Sequence, residues 1–330
     1  MEIAYGFPQE KPLPSQWEQL LKKTGLQPEA APEYTVLVWD DGQLIATGSR
    51  DGNLLKYLAV DPLRQGEDLT ATVLTQLRQD AFQKGIDHLF LYTKPRNRMM
   101  LQNLFFYPVA QTKTVLLMED RKDGLRQYLA SLPRYPEAET VGAAVMNCDP
   151  FTNGHRYLIE TAAKDCDRLY VFVLSEDRGH FPAKDRLELV QAGTAHLKNV
   201  TVAETGPYLI SAATFPTYFL PNRDLAGAAQ CQLDLEIFAG ILAPALGIIR
   251  RYVGTEPFSA LTEDYNRSLA AHLPERGITL VQLPRMELDG CAVSASRVRK
   301  LLKEGNLAEI RDLVPPATYT YLCQYYRGNQ

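Results

Sequence analysis

The sequence predicts an α/β protein of two domains, a small mixed sheet in the N-terminal domain and a doubly wound parallel sheet in the C-terminal domain. Hairpin turns and short strand patterns dominate up to about residue 119, whereas apolar strands alternate with amphipathic helices from residue 141 onward. A connector rich in proline and charge lies between them, at residues 121–139. The 330 residues suffice for two hydrophobic cores. We therefore predict domains at residues 1–135 and 136–330.

The N-terminal domain opens with a hairpin signal. A strand pattern at residues 34–39 leads into the turn Asp40-Asp41-Gly42, and a second strand pattern follows at residues 43–48. Further strands are predicted at residues 55–60, 88–93 and 114–118, and a helical pattern begins at Asp68. This order predicts a mixed sheet with helices packed on it.

The C-terminal domain alternates strand and helix. Strands are predicted at residues 141–147, 168–175, 200–204, 249–254 and 278–283, with helices at residues 155–166, 183–197, 230–242 and 261–272. Such alternation indicates parallel strands covered by helices on both faces. Right-handed crossovers place the carboxyl ends of these strands at one edge, so we predict the ligand site there.

Composition excludes several classes of protein. The formal net charge of -4 and the pI of about 5.8 argue against nucleic-acid or membrane-surface partners. The first residues lack a signal peptide pattern, and the longest apolar stretch, residues 237–249, contains Pro244 and is too short to span a bilayer. The five cysteines are scattered without a CxxC pair, so neither disulfides nor a protein-held metal is predicted. These features indicate a cytoplasmic location.

The segment from Met146 to His155 is the most informative in the chain. It follows a buried strand, breaks at Asp149-Pro150, turns through Asn153-Gly154 and enters a helix. The free N–H groups at the helix start, the helix dipole and a histidine donor would converge on one point, which suits a phosphate. The segment therefore predicts nucleotide chemistry.

This segment resembles the His-x-Gly-His signature of the nucleotidylyltransferase superfamily, with Thr152 at the first histidine position. The resemblance implies a Rossmann-like sheet of the HUP class, and it implies that Thr152 and His155 contact the nucleotide phosphates and stabilise the departing pyrophosphate. Met146 replaces the glycine that usually opens the signature, so the pocket is expected to differ in shape. The other expected ATP contacts in this segment are Asn147, Asp149, Pro150, Phe151 and Gly154.

A second segment, residues 293–299, resembles the Ile-Ser-Ser-Thr-x-Ile-Arg stretch of the same superfamily. Ser294 is a plausible helix N-cap, and Ser296 and Arg299 occupy the threonine and arginine positions. The resemblance implies that this helix end grips the β- and γ-phosphates opposite His155. Arg297 ranks below Arg299 because adjacent helical residues do not share a face.

Two further segments carry weaker signals. Gly254, Thr255 and Glu256 end a strand where the superfamily contacts adenine and ribose, although an ordinary strand-ending turn explains them equally well. Arg186 lies on the helix facing the motif edge and is the best candidate of its region for contact with phosphate or substrate. Arg178 and Lys184 are interpreted as parts of a solvated loop.

The N-terminal order of hairpin, strand ending in Val60-Asp61-Pro62, turn and long helix resembles the GNAT acetyltransferase fold. In that family the amides of the turn bind the pyrophosphate of coenzyme A. Here the turn, residues 64–69, contains one glycine and two acids, Glu67 and Asp68. This departure favours a fold retained without transferase activity, or used to bind a partner.

Taken with the GNAT-like domain, four segments resemble the citrate lyase ligase family: residues 145–155, 213–219, 252–258 and 293–299. The resemblance covers the whole chain. It implies that ATP, with Mg²⁺, activates acetate as acetyl-AMP and releases pyrophosphate. The acetyl group would then pass to the prosthetic-group thiol on the acyl-carrier subunit of citrate lyase, which is thereby activated.

Two other functions stay open beside this ligase: adenylyl transfer to a phosphate substrate such as phosphopantetheine, and a non-catalytic regulator that keeps a nucleotide site. The paired motifs at Thr152/His155 and Ser296/Arg299 argue against the regulator. A group at residues 214–219 could form a small acyl pocket, although its aromatic residues favour the core.

Overall fold

The computed structural model describes residues 2–6, 13–176, 179–209, 215–220, 225–255 and 260–328. Contacts divide the chain into two compact units, Met1–Gln127 with Phe215–Leu233, and Tyr128–Thr214 with Asp234–Gln330. This division differs from the continuous ranges predicted from the sequence, because residues 215–233 belong to the first unit. The predicted fold class is confirmed, with a mixed sheet in one unit and a parallel sheet in the other.

The first unit is built, within the described residues, on a seven-stranded sheet of order β1-β2-β3-β4-β5-β7-β6, in which β4 and β5 are parallel and the other neighbours antiparallel. The strands are β1 Glu2–Gly6, β2 Tyr34–Asp40, β3 Gln43–Asp51, β4 Leu54–Val60, β5 Phe90–Thr93, β6 Tyr107–Gln111 and β7 Leu116–Glu119. The helices are α1 Ser15–Lys23, α2 Leu69–Gln83, α3 Arg98–Asn103 and α4 Gly124–Ser131, the last of which crosses the boundary between the units.

Helix α2 packs on this sheet through the apolar face that the sequence shows. Leu69, Val73, Leu74 and Leu77 are all buried on it. Gly48 on β3 permits the close approach, because a Cβ at that position would lie 2.5 Å from Cγ1 of Val73. The N-terminal core is therefore the layer between α2 and the first strands.

The second unit contains a five-stranded parallel sheet of order β10-β9-β8-β11-β12, counted over the described residues. Its strands are β8 Val141–Met146, β9 Arg168–Val173, β10 Val200–Glu204, β11 Ile248–Gly254 and β12 Thr279–Leu283. Strand order reverses between β8 and β11. Such a switch point leaves a crevice at the carboxyl ends of the two strands, where ligands of doubly wound sheets bind.

Helices follow and connect these strands: α5 Asn153–Lys164, α6 Ala183–Thr194, α7 Ala226–Ile237, α8 Ala243–Leu246, α9 Ala260–His272, α10 Ala295–Lys303, α11 Leu307–Ile310 and α12 Pro316–Gly328. The residues of α7 up to Leu233 belong to the first unit. A π-helical turn, Phe238–Leu242, joins α7 to α8. A short ribbon of β13 Glu287–Leu288 and β14 Cys291–Ala292 precedes α10. None of the helices in the described part of the chain is long and apolar enough to cross a bilayer.

Candidate active site

The chain turns sharply between β8 and α5. Cys148 has a positive φ of 53°, and the Asp149–Pro150 peptide bond is cis. Phe151 is fully buried and packs on α6, where a Cβ at Gly193 would lie 2.4 Å from Cε1 of Phe151. The turn is thus fixed by its own core contact, and it brings Thr152 to the start of α5.

Thr152 and His155 form a capping box at that helix start. The hydroxyl oxygen of Thr152 accepts the backbone N–H of His155 at 3.4 Å, and Nδ1 of His155 accepts the backbone N–H of Thr152 at 3.1 Å. The threonine hydroxyl also lies 3.0 Å from Nδ1. The two residues that the superfamily signature singles out therefore orient each other.

His155 is held in its neutral form. Burial lowers the pKa of His155 to about 4, and the positive charges of Arg285 and Arg299 act in the same direction. The hydrogen bonds also indicate a neutral ring, because an Nδ1 atom that accepts the Thr152 N–H carries no proton. The ring proton is then on Nε2, which offers an N–H donor to an anion.

Helix α10 begins beside α5. Ser294 is its N-cap, and the Ser294 hydroxyl accepts the backbone N–H of Arg297 at 3.2 Å. Gly154 touches the preceding residue, since a Cβ at Gly154 would lie only 2.6 Å from the carbonyl oxygen of Val293. Only glycine allows this approach, so the starts of two helices distant in sequence adjoin each other.

Arg299 ties α10 to the Asp149 turn. Its Nη1 donates to the backbone carbonyl of Asp149 and lies 3.7 Å from the Asp149 carboxylate, while Nη2 donates to the hydroxyl of Ser296 at 3.3 Å. The side chain of Arg299 is 27% exposed, so solvent and ligands can still reach it. Ser296 is exposed as well. The second motif therefore lies against the first.

The Asp149 carboxylate holds the loop before α6 in place. Its carboxylate accepts the backbone N–H groups of His180 and Phe181 at 3.0–3.1 Å. Gly179 lies so close that a Cβ there would be 3.0 Å from the carboxylate carbon. The carboxylate thus fixes the loop before α6, and it also lies beside Arg299.

Arg186 is fully buried on α6, and its hydrogen bonds go to the protein itself. Nε donates to the Phe181 carbonyl at 3.1 Å, Nη1 to the carbonyl and side-chain oxygens of Asn147 at 2.6 and 2.8 Å, and Nη2 to the Glu176 carbonyl at 2.5 Å. The geometry makes Arg186 a positioning residue that holds the loops after β8 and β9. Asn147, whose side chain is committed to Arg186, belongs to the same support.

The carboxyl end of β11 also borders α5. A Cβ at Gly254 would lie 3.6 Å from Cδ1 of Leu158. The Thr255 N–H donates to the Leu283 carbonyl at 2.9 Å, and the Thr255 carbonyl accepts Nε of Arg285 at 2.8 Å. Gly254 and Thr255 therefore lie at the edge that was predicted for the site.

Arg285 lies near the site but was not predicted from the sequence. It lies just after β12, and its positive charge acts on His155. The rule that parallel strands end at one edge would have indicated it, because β12 neighbours β11. Glu256 and Arg178 lie outside the described residues, and Lys184 is an exposed partner of Glu188 at 3.9 Å.

The arginine of the GNAT-like turn is paired with two carboxylates, one in the turn and one on β2. Arg64 donates to Glu67 at 2.6 Å and to Asp40 at 2.9 Å. The turn borders a cavity of about 800 Å³ between β4 and β5. Tyr218 belongs to the core there, with its hydroxyl 3.1 Å from the Tyr92 carbonyl, so the core interpretation of the aromatic residues at 215–219 applies.

The edge thus gathers N–H donors and positive charge: Nε2 of His155, the guanidinium groups of Arg285 and Arg299, and the starts of α5 and α10. Such donors bind phosphate oxygens and stabilise negative charge that develops on them. Among the described residues no group of three His, Cys, Asp or Glu side chains could hold a metal ion. The arrangement can therefore bind a nucleotide and assist displacement at phosphorus.

The chain is similar to a known family of ligases. The model of the citrate lyase ligase C-terminal domain matches residues 141–322. The citrate (pro-3S)-lyase ligases of Klebsiella pneumoniae and Escherichia coli (strain K12) are 40% and 39% identical over 96% and 92% of this chain, and the matches cover 94% and 88% of their own lengths. A solved acyl-CoA N-acyltransferase from Pseudomonas aeruginosa is 14% identical, covers 37% of this chain and 100% of its own, and has a TM-score of 0.30.

The doubly wound parallel sheet and the two ligase relatives define an enzyme of the α/β class. The chain belongs to the citrate lyase ligase family. The family predicted from the sequence segments is therefore confirmed.

Proposed function

We propose that the enzyme activates acetate with ATP and acetylates the prosthetic-group thiol on the acyl-carrier subunit of citrate lyase, which switches that enzyme on. The relatives that match nearly the whole chain are named as ligases of citrate lyase. The observation that supports the proposal for this chain is the contact between its two motifs. Arg299 of the second motif donates to Asp149 of the first, and Gly154 contacts Val293.

In the first step an oxygen of the acetate carboxylate attacks the α-phosphorus of ATP. The bond from that phosphorus to the bridging oxygen of the β-phosphate breaks, and pyrophosphate leaves with the electron pair. We assign stabilisation of the departing pyrophosphate to Nε2 of His155 and to Arg299, with Arg285 as an additional cation. Thr152 orients His155, and Ser294 and Ser296 shape the start of α10.

In the second step the thiol of the carrier arm attacks the carbonyl carbon of acetyl-AMP. The bond to the phosphate oxygen breaks, AMP leaves with the electron pair, and the thiol proton passes to solvent. The products are a thioester, AMP and pyrophosphate. We propose no protein nucleophile for either step. Cys148 is fully buried, and its burial raises the pKa of the thiol far above neutrality, which leaves it unreactive.

We propose that Mg²⁺ enters with ATP, bound by the phosphate oxygens of the nucleotide. The donors around the site are mainly N–H groups, which bind phosphate rather than metal. The Asp149 carboxylate is already engaged by the backbone of His180 and Phe181. The ion would neutralise charge on the leaving pyrophosphate.

Gly254 and Thr255, with Glu256 beyond the described residues, are proposed to contact adenine and ribose. They end β11 beside the crevice, and Arg285 holds the Thr255 carbonyl. No disulfide joins any of the five cysteines in the described structure, and we propose a reducing compartment such as the cytoplasm as the place of this reaction.

The test is the exchange of labelled pyrophosphate into ATP. The proposal expects exchange that requires acetate, and acetylation of the carrier subunit when that protein is added. Exchange that ignores acetate and requires phosphopantetheine would establish an adenylyltransferase instead. Omission of the carrier should leave the exchange intact, because only the second step needs it.

A further inference from the structure

The chain around α3 carries positive charge without acids of its own. Residues 88–118 contain four lysines and arginines and no aspartate or glutamate, although the whole chain has a net charge of -4. Arg96 and Arg98 are exposed, and Nη1 of Arg98 lies 3.5 Å from the neutral side chain of Gln111. Burial and the charge of Arg96 lower the pKa of Lys94, so two like charges lie near each other. This part of the first unit is therefore a positive surface on an acidic protein.

Large apolar side chains are exposed beside these cations. Met99 is 71% exposed, Met100 45% and Phe105 67%. The two methionines lie on α3, and Phe105 follows the end of that helix. Methionine, aromatic residues and arginine are the types that are enriched where proteins bind one another. We call this group of side chains the α3 surface: Lys94, Arg96, Arg98, Met99, Met100 and Phe105.

The backbone holds Phe105 outward in an unusual conformation. Its φ of 61° lies in the left-handed region, where glycine or asparagine usually follows the end of a helix. Its N–H donates to the Gln102 carbonyl at 3.1 Å, and the N–H of Phe106 donates to the Leu101 carbonyl at 3.0 Å, so the turn is fixed. Phe106 enters the core from this turn, whereas Phe105 does not. The strained and exposed Phe105 ring thus adds little to folding, which points to a contact outside the chain.

The cavity between β4 and β5 separates this positive surface from a neutral one. Arg64, which follows β4, lines the cavity but is paired with Glu67 and Asp40. Lys94 and Arg96, which follow β5, line its other side. The excess positive charge therefore lies on the α3 side of the cavity.

We propose that the α3 surface docks the acyl-carrier subunit of citrate lyase through an acidic face of that protein. The proposal rests on the proposed function, because the carrier is the protein substrate of that reaction. Arg96 and Arg98 pair with carboxylates of the carrier, and an apolar side chain of the carrier covers Met99 and Phe105. The net negative charge of the chain repels an acidic partner elsewhere, so the partner is attracted to this surface.

The test measures two reactions of the full chain, acetate-dependent pyrophosphate exchange and acetylation of the purified carrier subunit. In Arg96→Glu/Arg98→Glu we expect the KM for the carrier to rise about 10–100-fold, because two attractions become repulsions. The kcat for acetylation and the rate of exchange should stay within about twofold of wild type, since α3 lies in the first unit and the motif residues lie in the second.

Lys22→Glu/Arg126→Glu is the matched control for charge. It reverses two exposed cations of the first unit that already pair with acids, Lys22 with Glu18 and Arg126 with Asp123. The net charge changes by the same amount as in the docking variant. Because charges more than about 10 Å away are screened in 0.1 M salt, the KM for the carrier should stay within about threefold of wild type.

Phe105→Asn tests the apolar part of the surface without a change of charge. Asparagine adopts the left-handed conformation more readily than phenylalanine, so the thermal midpoint should equal or exceed that of wild type. We expect the KM for the carrier to rise about tenfold, as on removal of an aromatic contact at the centre of an interface.

An unchanged KM for the carrier in both Arg96→Glu/Arg98→Glu and Phe105→Asn would overturn the docking surface. A rise that is accompanied by slower pyrophosphate exchange would overturn it too, since that indicates a general structural effect. Loss of a dimer on size exclusion with an unchanged KM would also overturn it, and would assign the surface to a second copy of this chain. A wild-type enzyme without acetate-dependent exchange would instead overturn the proposed function.

Discussion

The hydrogen bonds of His155 determine its chemistry before a substrate binds. Nδ1 is occupied by the Thr152 backbone N–H, so the ring can only offer Nε2–H to a ligand. Nearby guanidinium groups and burial oppose a second proton. We infer that His155 serves as a neutral donor that stabilises charge, and that the reaction needs no proton from it.

Removal of the His155 donor should slow the adenylation step without unfolding the protein. We expect His155→Ala to reduce pyrophosphate exchange by about 10²–10³-fold, which is the usual effect of one donor to a developing anion. His196→Ala is a suitable control, because that histidine is exposed and contacts Glu160 at 2.9 Å. Full exchange in His155→Ala would refute the assignment.

The low pKa of His155 predicts a defined dependence of stability on pH. In the unfolded chain the ring titrates near 6.5, and in the folded protein near 4, so the unfolded state binds more protons between these values. This contribution to the free energy of unfolding is complete above pH 6.5 and is lost as the pH falls towards 4. Urea unfolding of wild type and His155→Gln should show the difference between the two proteins shrinking over that range. A constant difference would contradict the shifted pKa.

At the scale of secondary-structure elements, the site depends on how α5 and α10 meet. The contact is between a glycine and a backbone carbonyl, so no rotamer change can relieve a larger side chain at Gly154. The hydrogen bond from Arg299 to the Asp149 carbonyl joins α10 to the turn that precedes α5. The N–H donors that we assign to phosphate are thus aligned by packing between helix ends.

Gly154→Ala should separate these two helix ends. The added methyl would meet the Val293 carbonyl at 2.6 Å, and overpacking of this kind costs about 1–3 kcal/mol. We expect a lower thermal midpoint together with a clear loss of pyrophosphate exchange. Gly240→Ala is the control, because its Cβ would meet the mobile end of Arg276 at 3.3 Å. Wild-type exchange in Gly154→Ala would show that this contact does not align the site.

The five strands of the parallel sheet could be predicted because each is rich in apolar residues and is separated from the next by a longer segment of helical composition. The start of α5 differed by two residues from its prediction, since Thr152 caps the helix and Asn153 is already helical. The strand β1 and the helix α1 were not predicted. The apolar residues of β1, Ile3, Ala4 and Tyr5, are consecutive and do not alternate with polar ones, and Pro14 caps α1 without a side-chain hydrogen bond.

The two motifs of the site were evident in the sequence, whereas the roles of individual residues were not. Arg186 was expected near phosphate, and only the fold shows that its donors face backbone carbonyls and Asn147. Arg285 belongs to no recognised motif and became visible through the adjacency of β11 and β12. Contacts between residues distant in sequence determine both roles.

At the scale of the whole molecule, the chain leaves the second unit after β10 and returns at Asp234. In between, Phe215, Tyr218 and Phe219 are 2–5% exposed within the first unit. Tyr218 packs against Tyr57, with ring centres 4.8 Å apart. A part of the chain that follows three strands of the parallel sheet therefore completes the core of the other unit.

A fragment of residues 136–330 should therefore aggregate when it is produced alone. It retains Phe215, Tyr218 and Phe219 but lacks Tyr57 and Tyr92, so buried aromatic surface becomes exposed. We expect aggregation on size exclusion and binding of a hydrophobic dye. The same fragment with serine at residues 215, 218 and 219 should be less prone to both. A monomeric unmodified fragment that binds no dye would refute this expectation.

The residues that complete the proposed phosphate site come late in the chain. Arg285, Val293 and Arg299 all follow β12, although the turn they complete begins at residue 147. A chain that ended at residue 284 would contain the strands that border the crevice but would lack Arg285, Val293 and Arg299. ATP can stabilise the finished protein by binding it, but it cannot act as a template for the earlier stages of folding. On the proposed assignment, the nucleotide site is complete only in a chain that includes α10.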